Sequence, residues 1–340
     1  MTGYLKSRGY KVLVWGRKWP GKDYRQEENV RRFNLWFNKG PLFYLNLNCR
    51  LFFALLTHRA DFFLAVDLDT LPACRLAGIL RRTPVVFDSH EYFPEVPELQ
   101  HRRFTKFIWL TMQDWLVPGV FAGITVSKGL VNLYKERYQL DFKLVRNIPS
   151  ATRSSIPIRK VNGHPVVYYQ GALNVGRGLE EAIQAMAFLP GYRLLIVGRG
   201  DLEDELKQLA DNLNLNGQVH FIGAVPFHEL PKYAVQAHVG LCLLQNLGLN
   251  YYHSLPNRLF DYPMLGLPIL ASDFPDIHDF IEQYETGLLT SSMEPSELAA
   301  IIRRICEDEM LRDRIGENMK ATASLLSWEN EVKQLDVIFK

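Results

Sequence analysis

At 340 residues, 47% of them apolar and 22% charged, the chain has the composition of a globular protein and the length for two ordinary domains. Residues 1–150 hold 23 Lys and Arg against 13 Asp and Glu, and residues 151–340 hold 16 against 24, so a formal charge of +2 hides a basic half joined to an acidic one. No uninterrupted apolar run reaches membrane-spanning length, because the richest stretch (43–56) is broken by Asn46, Asn48 and Arg50, and the first residues lack a signal-peptide core.

Four scattered cysteines, Cys49, Cys74, Cys242 and Cys306, form neither a metal nor a disulfide spacing, which fits a reducing cytoplasmic compartment. The basic half carries no nucleic-acid motif, so no nucleic-acid partner is expected. An anionic membrane surface suits its charge better, which would place the protein at the inner face of the cytoplasmic membrane.

In chain order, residues 4–9 read as the last turns of a helix and 11–16 as a strand. Residues 33–57 are aromatic and aliphatic with Arg31, Arg32, Lys39 and Arg50 nearby, either a core helix or a peripheral membrane surface. Residues 62–66 form a strand that ends at Asp67-Leu68-Asp69. Such a pair can hold a metal–diphosphate, but Asp69 reads more simply as the cap of a helix through Leu80, and no metal is expected. Residues 84–87 are a buried strand running into the polar tip Asp88-Ser89-His90-Glu91, at the strand end where doubly wound sheets bind ligands. Residues 101–117 set Arg102, Arg103 and Lys106 among Phe104, Phe107, Ile108, Trp109 and Trp115, a second basic and aromatic segment. A strand at 123–127 follows, with Ser127 capping the next helix, and 143–147 closes the first half. The polar connection 149–160 is where a hinge is expected.

The second half restarts with a strand at 165–171, then a glycine-bearing loop, then a helix from Leu179. Gly171, Gly178 and Arg177 there suit a phosphate cradle. A strand at 193–197 leads to Gly198-Arg199-Gly200 and a helix, without the third glycine and acid of a dinucleotide site. A strand at 218–223 precedes Ala224-Val225-Pro226, and a strand at 238–244 precedes a polar loop, 245–253. That loop reaches His253-Ser254-Leu255-Pro256-Asn257-Arg258-Leu259-Phe260-Asp261-Tyr262. Ser254 is placed to cap a helix with Pro256 in its first turn, leaving the amides of Asn257, Arg258 and Leu259 for an anion. Asp261 falls one turn on, beside Asn257 and Arg258. It either meets a sugar hydroxyl or pairs with Arg258.

That segment, with Gly266-Leu267-Pro268-Ile269 after it, resembles the donor-binding helix of glycosyltransferase family 4, whose fold is GT-B. The resemblance runs over nearly the whole chain and implies two Rossmann-like doubly wound α/β domains facing across a cleft. These would be residues 1–150 with a crossover helix at 327–340, and residues 151–326. It also implies that the first domain lacks its usual opening strand and glycine loop, through a truncated start or because the protein does without them. Two glutamates eight positions apart commonly hold the donor in this family; here they fall on His253, toward the sugar, and Asp261, toward the ribose. Gly171, Arg177, Gly198 and Val225, with Leu255 to Leu259, complete the implied donor site. Asp88, His90 and Glu91 form the implied acceptor side, with His90 facing the donor sugar. The activity implied is retaining transfer from a nucleotide-diphosphate sugar to a glycan or lipid-linked acceptor, without cofactor. His90, Arg177 and Asp261 would carry it. A 2-epimerase or a non-catalytic sugar-nucleotide binder of the same fold are the alternatives.

Overall fold

Strand and helix alternate along both halves, as the hydrophobic pattern requires. The computed structural model describes residues 1–19, 24, 27–150 and 163–339, so the expected hinge, from residue 151 on, lies outside the described residues. The first half runs α1 (Thr2–Ser7), β1 (Val14–Arg17), β2 (Val30–Phe33), α2 (Pro41–Thr57), β3 (Phe63–Val66), α3 (Leu71–Arg81), β4 (Val85–Ser89), α4 (Arg103–Leu116), β5 (Ala122–Thr125), α5 (Lys128–Tyr138) and β6 (Lys143–Leu144). The second begins with β7 (Val166–Gln170), α6 (Leu179–Ala185), β8 (Arg193–Val197), α7 (Glu203–Asn212), β9 (Val219–Gly223), α8 (Leu230–Ala234), β10 (Val239–Cys242) and α9 (Leu249–Tyr252). It ends with α10 (Arg258–Met264), β11 (Ile269–Ser272), α11 (Pro275–Tyr284), β12 (Gly287–Thr290), α12 (Pro295–Glu307), α13 (Glu309–Leu325) and α14 (Trp328–Glu331).

All strand pairs are parallel. The second half builds one six-stranded sheet in the order β12-β11-β10-β7-β8-β9, and the first a four-stranded sheet, β3-β4-β5-β6. Buried parallel strands are apolar on both faces. In the first sheet Phe63, Ala65, Val85 and Phe87 pack toward α3, α4 and α5, and Val86 and Ile124 pack toward Leu5 of α1 and the carboxyl-terminal Leu335 and Phe339. The last segment thus crosses back to the first half. Trp328 N donates to Pro149 O (3.1 Å), and Arg146 clamps Glu331 through two contacts of 3.0 and 2.8 Å.

β1 and β2 pair only with each other, in a separate ribbon. β2 was not foreseen, because Val30-Arg31-Arg32-Phe33 is short and half charged. Between β1 and β3 lies a cavity of about 1710 Å³, lined by residues 11–15 and 62–64, where the resemblance would place the family's opening strand. Helix starts shift more than strands do. α3 has Thr70 rather than Asp69 at its N-cap, and α10 begins at Arg258 with Asn257 before it. Ser254 is therefore not the cap of that helix; its hydroxyl donates to Tyr251 O at 2.9 Å. The expected cap at Ser127 is present, its Oγ accepting from Leu130 N at 3.2 Å.

Candidate active site

Glycines close the carboxyl ends of three adjacent strands. Gly171, Gly198 and Gly223 follow or end β7, β8 and β9, all at positive φ. A Cβ on Gly198 would stand 1.8 Å from the Gly171 carbonyl oxygen, so two loops meet at a distance only glycine permits. Gly178 opens α6 at φ 65°, and a Cβ there would meet Leu243 Cβ at 2.6 Å. The loop between them is pinned by Tyr169, whose hydroxyl donates to Ala172 O at 2.7 Å. Arg177 lies with its guanidinium 4.8 Å from the centre of the Tyr251 ring, and its Nε is buried without a hydrogen-bond partner. Glu91 of the first half is raised above the usual carboxylate range by loss of solvent and then by Asp67, and the nearby Arg177 charge opposes both.

Helix α10 and the residues before it are arranged differently from the sequence pattern. Asp261 lies on the cavity wall and accepts a hydrogen bond from Gln170 Nε2 at 2.9 Å. Arg258 is not its partner. It points into the core, 4.5 Å over the Tyr169 ring, with both Nη atoms buried and unbonded, so its side chain does not meet a donor in this geometry. The Leu259 side chain is also fully buried, and its amide donates to Pro256 O at 3.0 Å, which takes it out of the expected anion site. Asn257 remains exposed on the cavity, and Leu255 and Pro256 are half-buried before it.

On the opposite wall the β4 tip is held as a network. The Asp88 carboxylate is buried and stands 3.3 Å from His90 Nε2. His90 N donates to Asp67 Oδ1 (2.9 Å), and Asn147 Nδ2 lies 3.3 Å from His90 Nδ1. The hydrogen bond to Asp88 raises the His90 pKa above its ordinary value, burial opposes the rise, and the charges of Asp88, Asp67 and Glu91 add to it. Asp67 takes a left-handed φ of 59°. Burial and then the neighbouring Asp67 push Asp69 up to about 6.

The segment 245–253 is not a loose loop but the joint between the halves. Asn250 is buried in α9 and its Oδ1 accepts from Tyr92 N at 2.8 Å. Ser127 Oγ donates to His253 O at 2.5 Å, and Gly129 N donates to both Asp276 oxygens at 3.0 and 3.2 Å. The His253 ring sits in this joint. Its Nδ1 is 3.8 Å from Asp276 Oδ2, and a Cβ on Gly129 would be 2.2 Å from it. His253 therefore faces α5 and α11, a correction to its expected place toward the donor sugar.

The cavity gathers Asp88, His90 and Asn147 from one side and Asn257 and Asp261 from the other. Arg177 lies off that cavity, beside Tyr251 and near Glu91, and Val225, also off it, packs half-buried against the second-half core. Sequence reasoning missed Gln170 and Asn147, and weighed Asp67 only as half of a metal–diphosphate pair rather than as the acceptor for His90 N. Gln170 had a signal: it is the one polar residue of β7, at the strand end where ligands bind. Among the described residues no group of three or more His, Cys, Asp or Glu converges as a metal site would require.

Two parallel-sheet α/β halves meeting at a cavity at their strand ends define a GT-B fold. The chain belongs to the glycosyl transferases group 1 family, whose model matches residues 152–322, while residues 1–152 match the model described as Glycosyltransferase Family 4. Sucrose-phosphate synthase from Thermosynechococcus elongatus is similar in structure, with a TM-score of 0.78 at 20% identity over 98% of this chain and 90% of that one. HepE of Anabaena, solved in complex with UDP-glucose, superposes with a TM-score of 0.73 at 20% identity, over 91% of this chain and 85% of that one. Among curated proteins, the amylovoran biosynthesis glycosyltransferase AmsK of Erwinia amylovora is 28% identical over 137 residues, 39% of this chain and 34% of its own length. The chain spans 34 to 57% of the length of the first three curated relatives it matches.

Proposed function

We propose that the protein is a retaining glycosyltransferase that moves a sugar from a nucleotide-diphosphate donor to a glycan or lipid-linked acceptor of a cell-envelope polysaccharide. The observation that carries this reading is Asp261, fixed by Gln170 on one wall of a cavity whose other wall bears His90, Asp88 and Asn147. An oriented carboxylate suits two ribose hydroxyls, and the β4 tip suits the sugar being moved. Arg177, with an unused buried Nε in a glycine-bounded loop, supplies positive charge for the departing diphosphate. Charge stabilisation of the leaving group is the main catalytic device in this reading. It calls for neither a protein nucleophile nor a metal. HepE's complex with UDP-glucose supports a UDP-sugar donor, and AmsK's part in amylovoran biosynthesis supports a polysaccharide product.

The test is release of nucleoside diphosphate from a panel of UDP- and GDP-sugars, with and without a chelator, and assignment of the product anomer by NMR. Turnover with the donor's anomeric configuration kept supports the reading. Inversion removes the retaining assignment, epimerised donor favours a 2-epimerase, and tight binding without turnover marks a non-catalytic binder.

A further inference from the structure

Three helices of the first half turn large apolar side chains to solvent along whole stripes. On α4 the exposed residues Phe104, Phe107, Ile108 and Trp115 recur at helical spacing, and Trp115 is 87% exposed. On α3 they are Leu76, Ile79 and Leu80, and on α2 Leu42, Leu45 and Phe53, with exposed Cys49 in the same row. The inner faces of α3 and α4 cover the same side of the β3-β4-β5-β6 sheet, and Tyr44 of α2 stacks edge-on against Trp109 of α4 at 4.9 Å. The stripes therefore lie side by side in one outer layer. A continuous apolar surface of this extent marks an interaction site rather than ordinary scatter.

Charge selects the partner. The three helices hold five cations (Arg50, Arg75, Arg81, Arg103, Lys106) and a single acid, Asp114; Asp114 is taken up by Arg137 at 2.7 and 2.8 Å and Lys106 by Glu95 at 2.6 Å, which leaves four cations and no unpaired acid on them. α2 and α3 contain no acid at all. Arg82 and Arg102, exposed at the ends of α3 and α4, extend the basic rim. Apolar stripes bordered by cations on helices lying parallel to a surface match an anionic bilayer, which offers both an acyl boundary and negative headgroups. No helix among the described residues is long and apolar enough to cross a membrane, so this contact lies on the surface.

We infer that the outer face of α2, α3 and α4 docks onto anionic membrane. The proposal deepens the lipid-linked side of the function read above, because it places the cavity's first-half wall next to the surface from which such an acceptor comes.

Cys49 gives a direct probe, since the other three cysteines are buried. The 340-residue protein labelled there with an environment-sensitive fluorophore is mixed with phosphatidylglycerol vesicles and, separately, with phosphatidylcholine vesicles. The expected result is a blue shift with anionic vesicles alone, weakening several-fold between low and physiological salt as screening sets in. Phe107→Glu with Trp115→Glu should abolish both the shift and co-sedimentation while the far-UV spectrum and Tm stay near those of the parent. Pelleting without a shift at Cys49 means that another face binds, and overturns the proposal. So does the absence of anionic binding, or a lipid-independent shift that tracks self-association on gel filtration. Hydrolysis of UDP-sugars in solution is scored separately, so loss of the enzymatic reading and loss of the docking face are distinguishable.

Discussion

Gln170 hands its side-chain amide to the Asp261 carboxylate across 2.9 Å, tying the end of β7 to the first turn of α10. The contact fixes one carboxylate oxygen where Asp261 lines the cavity. Asp261→Asn keeps an acceptor for Gln170 and loses the charge. Donor binding should weaken by about 1–3 kcal/mol, roughly 5- to 150-fold, with Tm almost unchanged. Titration with UDP-sugars beside a thermal melt checks this. Normal donor affinity in the variant would remove Asp261 from the ribose.

Arg177 is predicted to read phosphate rather than base. Its Nε is buried and unbonded, and Tyr251 carries the guanidinium from below. Arg177→Ala should weaken UDP binding by about 1.5–3 kcal/mol, the worth of a charge-assisted hydrogen bond, and leave uridine binding nearly unaffected. Equal losses for UDP and uridine would show that the residue only shapes the pocket.

The fold was legible because parallel strands buried on both faces leave uninterrupted apolar runs, such as 84–87 and 194–197, the second closed by Gly198. The site was legible only in part. Asp261, Arg177 and His90 announce themselves by chemistry and position, whereas their supports do not. Nothing local tells that Arg258 turns inward onto Tyr169, since a guanidinium beside an aspartate at helical spacing pairs with it just as readily on paper. His253 was misplaced for a related reason. Its surroundings come from Gly129 and Asp276, more than a hundred residues before it and some twenty after.

His90 carries a pH signature. Its hydrogen bond to Asp88 holds the pKa above the ordinary value against the opposing effect of burial. A raised folded-state pKa means that the folded protein keeps a proton the unfolded chain gives up. The stabilisation is complete below about pH 6.5 and disappears as pH rises through the raised value. Asp88→Asn removes the leading cause and the Asp88 charge, so the midpoint should fall and that stability gain should shrink. An NMR titration of the His90 ring protons reads the midpoint directly, and an unmoved midpoint would refute the pairing.

The space between β1 and β3 makes the last prediction. Among the described residues β1 pairs only with β2, and β3 only with β4, so two parallel strands present free edges to one cavity of about 1710 Å³. The cavity is walled above and below by Leu5, Val12 and Phe339 on one side and Leu51, Leu55 and Cys74 on the other, the two-sided apolar setting of a central parallel strand. It also reaches Met1 and Asp88, so a parallel strand filling it would finish where α1 starts. A fusion that places a six-residue Val/Ile strand and a short glycine turn ahead of Met1 should therefore dock there. Each buried side chain contributes about 1.5–3 kcal/mol, against about 1–2 kcal/mol per residue for ordering the backbone. The net gain is a few kcal/mol, and at about 2–4 °C per kcal/mol for a domain of 150–250 residues the melting temperature should rise by several degrees. A Ser/Gly strand of equal length is the control. If the apolar and polar fusions melt together, the gap does not accept a strand; if only the apolar one gains, and amide exchange slows at Val14–Arg17 and Phe63–Val66, both edges have been paired.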